Sequence, residues 1–300
     1  MKAFEKRHIE RMNTDVTILG FGALEIGRNW GLGMDTERPQ EEIAKEVLNT
    51  ALDMGINLID TANAYHKSEE RIGKYISARR KEFVLATKCG EHSREPDTYY
   101  DFSYEGISQS IDRSLKLLNT DVIDLMQIHF GPDPKGTLDK GETVSAMKDA
   151  QKAGKIRYLG ASIDGDLATR CILSDDFDVM QLGYNIMHQG NGDNIRLAKS
   201  KGMGVFIRSG LGNGLLTSRV VENMDRLGEE DKRKAKALLE LVEGNTDMLT
   251  AIALNFLYQN DGISSILAGT KKTANLKRNA ELLETEIDNV IMNRAIQICL

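Results

Sequence analysis

Gly20-Phe21-Gly22-Ala23-Leu24-Glu25 is the stretch on which the fold turns. It follows a short apolar run, Val16-Thr17-Ile18-Leu19, and begins like the glycine turn that opens a doubly wound sheet. Such a turn has a third glycine and runs directly into a helix whose N-terminus binds pyrophosphate. Here the third position is Glu25, and no helical spacing appears until Glu41. The open sheet is disfavoured, and the chain must close another way.

Outward from that stretch, short β-branched runs recur: Ile56–Ile59, Phe83–Ala86, Val122–Met126, Ile156–Leu159, Val179–Leu182, Val205–Ile207 and Ile263–Leu267. Each is bounded by Gly, Asp, Asn or Lys and reads as a buried strand. Between them apolar residues fall on one helical face. Ile43, Val47, Leu48, Ala51 and Leu52 mark a helix from about Glu41 to Met54; Ile107, Ile111, Leu115 and Leu118 mark a second; Leu276, Ala280, Leu283 and Ile287 mark a third. Gly55, Gly154 and Gly202 suit the left-handed residue that ends a helix before the next strand. Eight strands alternating with helices imply a parallel sheet with right-handed crossovers. The expectation is an α/β fold, a (β/α)8 TIM barrel formed by residues 1–300 as a single domain. The segment before Val16 is expected to form a small β-hairpin at the barrel floor.

Composition narrows the partners. The chain is 41% apolar and 28% charged, has four prolines, and suits a globular protein with a sizeable core. A net charge of −6 offers no basic face, so nucleic acid is excluded as a partner. Cys89, Cys171 and Cys299 are odd in number and widely spaced, which argues against a disulfide framework or a metal site and for reduced thiols. The charged opening MKAFEKRHIERMNTD has no signal core, and no apolar run is long enough to span a bilayer. The expected location is the cytoplasm, with a small-molecule substrate and no membrane partner.

Barrels of this kind carry their chemistry at the C-terminal strand ends. Asp60 ends the second strand, Lys88 the third and His129 the fourth; Tyr65 lies in the loop after the second, before a helix marked by Ser68 and Glu69-Glu70. Taken singly, these read as a capping aspartate, a snorkelling lysine, a packed tyrosine and a core histidine. Together they make chemical sense. Asp60 neutralises a buried Lys88. The ammonium is expected to lower a phenol that ordinarily titrates near ~10. His129 adds a hydrogen bond to a substrate oxygen, so the set reads as a proton donor aimed at an oxygen gaining charge.

The run Asp60-Thr61-Ala62-Asn63-Ala64-Tyr65-His66-Lys67-Ser68-Glu69-Glu70-Arg71-Ile72-Gly73, with Lys88 after Val84-Leu85-Ala86-Thr87 and His129 after Asp124-Leu125-Met126-Gln127-Ile128, resembles the signature of the aldo-keto reductases. The similarity runs from about Gly20 to Asn279. It implies an enzyme that moves a hydride between NADP(H) and an aldehyde, ketone or sugar, with Tyr65 as acid/base, Lys88 and Asp60 tuning it and His129 orienting the carbonyl. By the same resemblance the cofactor meets Gly22, Asp60, Ser162, Gln181, Arg208, Ser209, Leu211, Gly269, Thr270, Lys271, Asn275 and Asn279. Substrate meets Trp30, Tyr65, His129 and Phe130, with His66 and Arg208 also near the mouth.

Lys271 and Lys272, at a helix start capped by Thr273, favour NADP(H) over NAD(H). Four positions depart from the family: Ile163 replaces an asparagine, Arg208 an aromatic ring, Asn275 an arginine and Arg278 an acid. The rival readings are a nicotinamide-binding regulatory subunit with weak turnover and a lyase using Lys88 as a Schiff base.

Overall fold

The structure is a computed structural model describing residues 2–31 and 36–300. Twelve strands are defined among these residues: β1 (Lys6–Ile9), β2 (Thr14–Thr17), β3 (Leu19–Gly22), β4 (Leu58–Asp60), β5 (Val84–Cys89), β6 (Glu91–Arg94), β7 (Asp97–Tyr100), β8 (Ile123–His129), β9 (Ile156–Ser162), β10 (Val179–Gly183), β11 (Gly204–Arg208) and β12 (Ser265–Gly269). The α-helices are α1 (Glu41–Asp53), α2 (Ser68–Ile76), α3 (Tyr104–Leu118), α4 (Pro134–Lys140), α5 (Glu142–Lys152), α6 (Gly165–Leu173), α7 (Gly192–Ser200), α8 (Arg219–Asn223), α9 (Glu229–Leu241), α10 (Thr246–Tyr258), α11 (Thr273–Glu284) and α12 (Asn289–Cys299). Strands β3, β4, β5, β8, β9, β10, β11 and β12 pair in that order, all parallel, and β12 returns to β3 to close the barrel.

Residues two apart on a strand share a face, and on the inner face this alternation builds two layers. The lower layer is apolar: Leu58, Ala86, Leu125, Val179 and Phe206 pack in one cluster with Ile9, Met12 and Val16 from the β1–β2 hairpin. That hairpin seals the floor, as expected. Gly204 lets it approach, because a Cβ there would stand 2.9 Å from Ile9 Cδ1. Two residues further along each strand lie Asp60, Lys88, Gln127, Gln181 and Arg208, at the mouth. Arg7 anchors the hairpin from outside by donating to the carbonyls of Tyr258, Asn260 and Ile263.

Several local expectations needed correction. Val16-Thr17-Ile18-Leu19 is not one strand: Val16 and Thr17 end β2, and the barrel strand starts at Leu19. Both pieces are buried, so an unbroken apolar run hides the turn between them. Ile43 is exposed rather than core, and Ala44 takes the buried position in α1. Neither Ser68 nor Thr273 caps its helix: Ser68 donates to the Ala23 carbonyl and Thr273 to Glu46. Gly55, Gly154 and Gly202 do adopt left-handed φ of 91°, 74° and 68°. All three cysteines are free and buried, and burial pushes the Cys89 and Cys171 thiols up to about 12 and Cys299 to about 11. No helix among the described residues is long and apolar enough to cross a membrane.

Candidate active site

The loop carrying Tyr65 is fixed before any chemistry is considered. A one-turn 3-10 helix, Asn63–Tyr65, follows β4, and Tyr65 N–H donates to the Ala62 carbonyl. The Thr61 hydroxyl donates to Ser68 Oγ, which in turn donates to the Ala23 carbonyl in the loop after β3. Gly27 in that loop presses on the turn so closely that a Cβ would lie 2.1 Å from the Tyr65 carbonyl oxygen. His66 next takes φ 50° and ψ −96°, a conformation that costs a side-chain-bearing residue on the order of 1–3 kcal/mol. Its ring nitrogen, 2.7 Å from Ser93 Oγ, holds it there.

Below Tyr65 lies the upper inner layer. Lys88 Nζ is 2.5 Å from Asp60 Oδ2, donates to the Thr61 carbonyl at 2.9 Å, and sits 5.0 Å from the centre of the Tyr65 ring, in contact with its hydroxyl. The other oxygen of Asp60 accepts from Gln127 Nε2 and Gln181 Nε2, each at 2.9 Å. Asp60 thus has both oxygens engaged, and Lys88, 1% exposed, has no face on solvent. Burial works to discharge Lys88, but Asp60 and Tyr65 outweigh it and hold the ammonium above the ordinary lysine value. For Tyr65 burial is the larger influence. It raises the phenol above 10.0, against the pull of Lys88 and with the help of Asp60. The sequence reading had the ammonium winning. In the structure burial outweighs the ammonium, whose pull Asp60 also offsets in part, and the phenol keeps its proton at neutral pH.

His129 completes the group, its ring perpendicular to that of Tyr65 with centres 6.1 Å apart. Both line a cleft of about 750 Å³ that runs from the barrel mouth to the start of α11. Of the expected site residues, Gly22, Trp30, Asp60, Tyr65, His129, Phe130, Ser162, Gln181, Arg208, Ser209, Leu211, Gly269, Thr270, Asn275 and Asn279 line it. Lys88 lies behind Asp60 and Tyr65, sealed from the cleft, which removes the geometry a Schiff base would need.

Other expected residues stand elsewhere. Lys271 and Lys272 do not line the cleft, and the Lys271 ammonium donates to the Glu37 carbonyl. His66 is turned to Ser93. Ile163 belongs to the main apolar core. Arg208 is ion-paired with Asp164, which also accepts from Gly183 N–H and Asn191 Nδ2.

Sequence reasoning missed Gln127, Glu91 and Arg28. Gln127 was legible: it stands two residues before His129 on one strand and so shares its face. Glu91 opens the β6–β7 hairpin, which carries no apolar run to announce it. Arg278 lines the far end of the cleft, paired with Asp247 of α10 at 2.5 Å.

A sequence profile of the Aldo/keto reductase family matches residues 18–298. The chain is 29% identical to L-galactose dehydrogenase of Arabidopsis thaliana, covering 98% of this chain and 92% of that one. It is 26% identical to D-threo-aldose 1-dehydrogenase of a Pseudomonas species, covering 91% of each. Among solved structures, an aldo-keto reductase from Bacillus halodurans in its holo form superposes with a TM-score of 0.80 at 25% identity, over 98% of this chain and 95% of the other.

Proposed function

The chain belongs to the aldo/keto reductase family, generally NAD(P)H-dependent oxidoreductases of carbonyls or sugars, and from this premise we propose that it moves a hydride between NADP(H) and an aldehyde, ketone or sugar, with Tyr65 as the proton donor. The observation that carries the proposal is the buried Asp60–Lys88 pair behind the half-buried Tyr65, on a cleft where His129 stands beside the phenol. The described residues fit a nicotinamide dinucleotide. The cleft volume lies within the roughly 300–1,000 Å³ of small-molecule sites. One end holds the phenol; the other lies at the N-terminus of α11, where free backbone N–H groups favour phosphate.

A bound reduced nicotinamide supplies the hydride. The protein's part is the proton and the charge. Tyr65, kept protonated by burial, gives its proton to the oxygen of the carbonyl. Lys88 stabilises the phenolate left behind, and Asp60, braced by Gln127 and Gln181, keeps Lys88 cationic. In oxidation the same phenolate takes the alcohol proton. Ser162 and Gln181 stand beside the tetrad as the grip on a carboxamide, with Gly22, Arg208, Ser209, Leu211, Gly269 and Thr270 along the cleft and Asn275 and Asn279 at its adenosine end. Preference for a 2′-phosphate falls to Arg278, which faces the cleft, instead of Lys271 and Lys272. A sugar substrate is favoured by the two relatives whose names are those of sugar dehydrogenases.

The test is a fluorescence titration with NADPH and NADH, followed by turnover of aldehydes, ketones and aldoses by the wild type and Tyr65→Phe. The substitution is expected to keep nucleotide binding and lower kcat by about 10²–10⁴-fold. Equal, slow turnover by both proteins would return the chain to the regulatory reading.

A further inference from the structure

Glu91 lines the substrate side of the cleft yet is itself buried. Its Oε1 accepts the Thr98 hydroxyl at 2.7 Å and lies 3.9 Å from Arg28 Nη1; its Oε2 lies 2.9 Å from His129 Nδ1. Burial works against its charge, but the contacts with His129, Thr98 and Arg28 outweigh it and hold the carboxyl below the ordinary glutamate range. Glu91 is therefore a carboxylate at neutral pH.

The nitrogen it faces is buried, and no other polar group among the described residues bonds to it. The contact is a close charge contact, not an in-line hydrogen bond. A carboxylate can only accept. A bare Nδ1 would set its lone pair against a negative oxygen in a site with little water to screen the repulsion.

We propose that Glu91 is a positioning residue that keeps the proton of neutral His129 on Nδ1, so that Nε2 meets the substrate oxygen as an acceptor in the neutral ring and as a donor only in the cation. Which nitrogen carries the proton follows from what the other one faces. This rests on the proposed oxidoreductase reading for its consequence, not for its geometry. With the ring neutral, Nε2 has no proton to offer a carbonyl oxygen; with the ring cationic, Nε2–H supports that oxygen as it gains charge, beside the proton that Tyr65 donates. The charge of the ring then decides whether His129 assists reduction. The ionisable and charged groups around the ring are Tyr65 from the loop after β4, the Lys88–Asp60 pair behind that phenol, and Glu91 with Arg28 behind it.

Nitrogen NMR of histidine-labelled wild-type protein, without substrate, tests the placement directly, with His129 assigned by its loss in His129→Asn. In the neutral ring, Nδ1 is expected at the protonated-type shift and Nε2 at the bare type. In Glu91→Gln, Thr98 and Arg28 keep the amide oxygen on their side, so the NH₂ turns to Nδ1 and the two shifts exchange. A bare Nδ1 in the wild type, or shifts unmoved by the substitution, overturns the proposal without reference to any turnover. The kinetic counterpart is the pH profile. Wild-type carbonyl reduction should be supported by the cationic ring and fall with rising pH once the ring is neutral, whereas Glu91→Gln, with an N–H always on Nε2, should not follow the charge of the ring. Parallel profiles differing only in KM would reduce Glu91 to a wall of the pocket.

Discussion

The two layers inside the barrel lie one two-residue step apart on the same strands, about 7 Å, and are built on opposite principles. Leu58, Ala86, Leu125, Val179 and Phe206 fill the lower layer with carbon and are sealed by Ile9, Met12 and Val16. Asp60, Lys88, Gln127 and Gln181 fill the upper one with charges and amides tied together through the Asp60 carboxylate. The lower layer stabilises whatever happens above it. The upper layer is stable only as a set, because the dry layer beneath it offers no water to a charge that loses its partner. Adjacency to the apolar plug is what makes the Lys88–Asp60 pair obligatory.

Substitutions can break that contrast. Lys88→Met strands the Asp60 carboxylate and is expected to cost about 3–5 kcal/mol of stability together with most of the activity; adding Asp60→Asn should recover part of the stability and none of the turnover. Denaturant melts of the two proteins measure this, and an undiminished midpoint in the single variant would mean that water reaches the upper layer. Met12→Ala, in the lower layer, should cost about 2–5 kcal/mol and leave kcat unchanged under conditions where the protein is folded. A matching fall in kcat would show that the layers are not independent.

Alkali sharpens the comparison from another side. Tyr65 and Lys88 both hold their protons more firmly folded than unfolded, so their contribution is complete below 10.0 and 10.5 and is lost as pH rises through their raised folded values. The melting temperature should fall above pH 10, and less steeply in Tyr65→Phe. The smallest effect is expected outside both layers. Arg278→Ala breaks only exposed pairs, with Asp247 and Glu281, so stability should change by less than about 1 kcal/mol. NADPH should weaken several-fold and NADH hardly at all, and equal weakening of the two would clear Arg278 of any role toward the 2′-phosphate.

The contrast also explains what the sequence disclosed. The apolar lower layer announces each strand, so the eight strands and the barrel were legible. Pairing continues past that layer through Asp60, Lys88, His129 and Ser162, so the polar residues read as ending the second and fourth strands do end them, and the third runs one residue further, to Cys89. Tyr65, Lys88, Asp60 and His129 were found because they stand at those ends. The direction of the Tyr65 shift was not, since it depends on how far burial outweighs the Lys88 ammonium, which the packing around the phenol decides. Glu91 sits on a largely polar hairpin where period carries no information, and Lys271 was misjudged because charge in a sequence does not say which way a long side chain turns.

The anchoring of the floor has a consequence for how this chain comes into being. Arg7 precedes its acceptors, the carbonyls of Tyr258, Asn260 and Ile263, by 251 residues or more. A polypeptide emerging from the ribosome therefore carries this stopper long before the groups that seat it have appeared. Through that interval the bottom of the growing cylinder stays open with its carbon lining wet, the kind of exposed apolar surface that makes a partly built domain prone to aggregate.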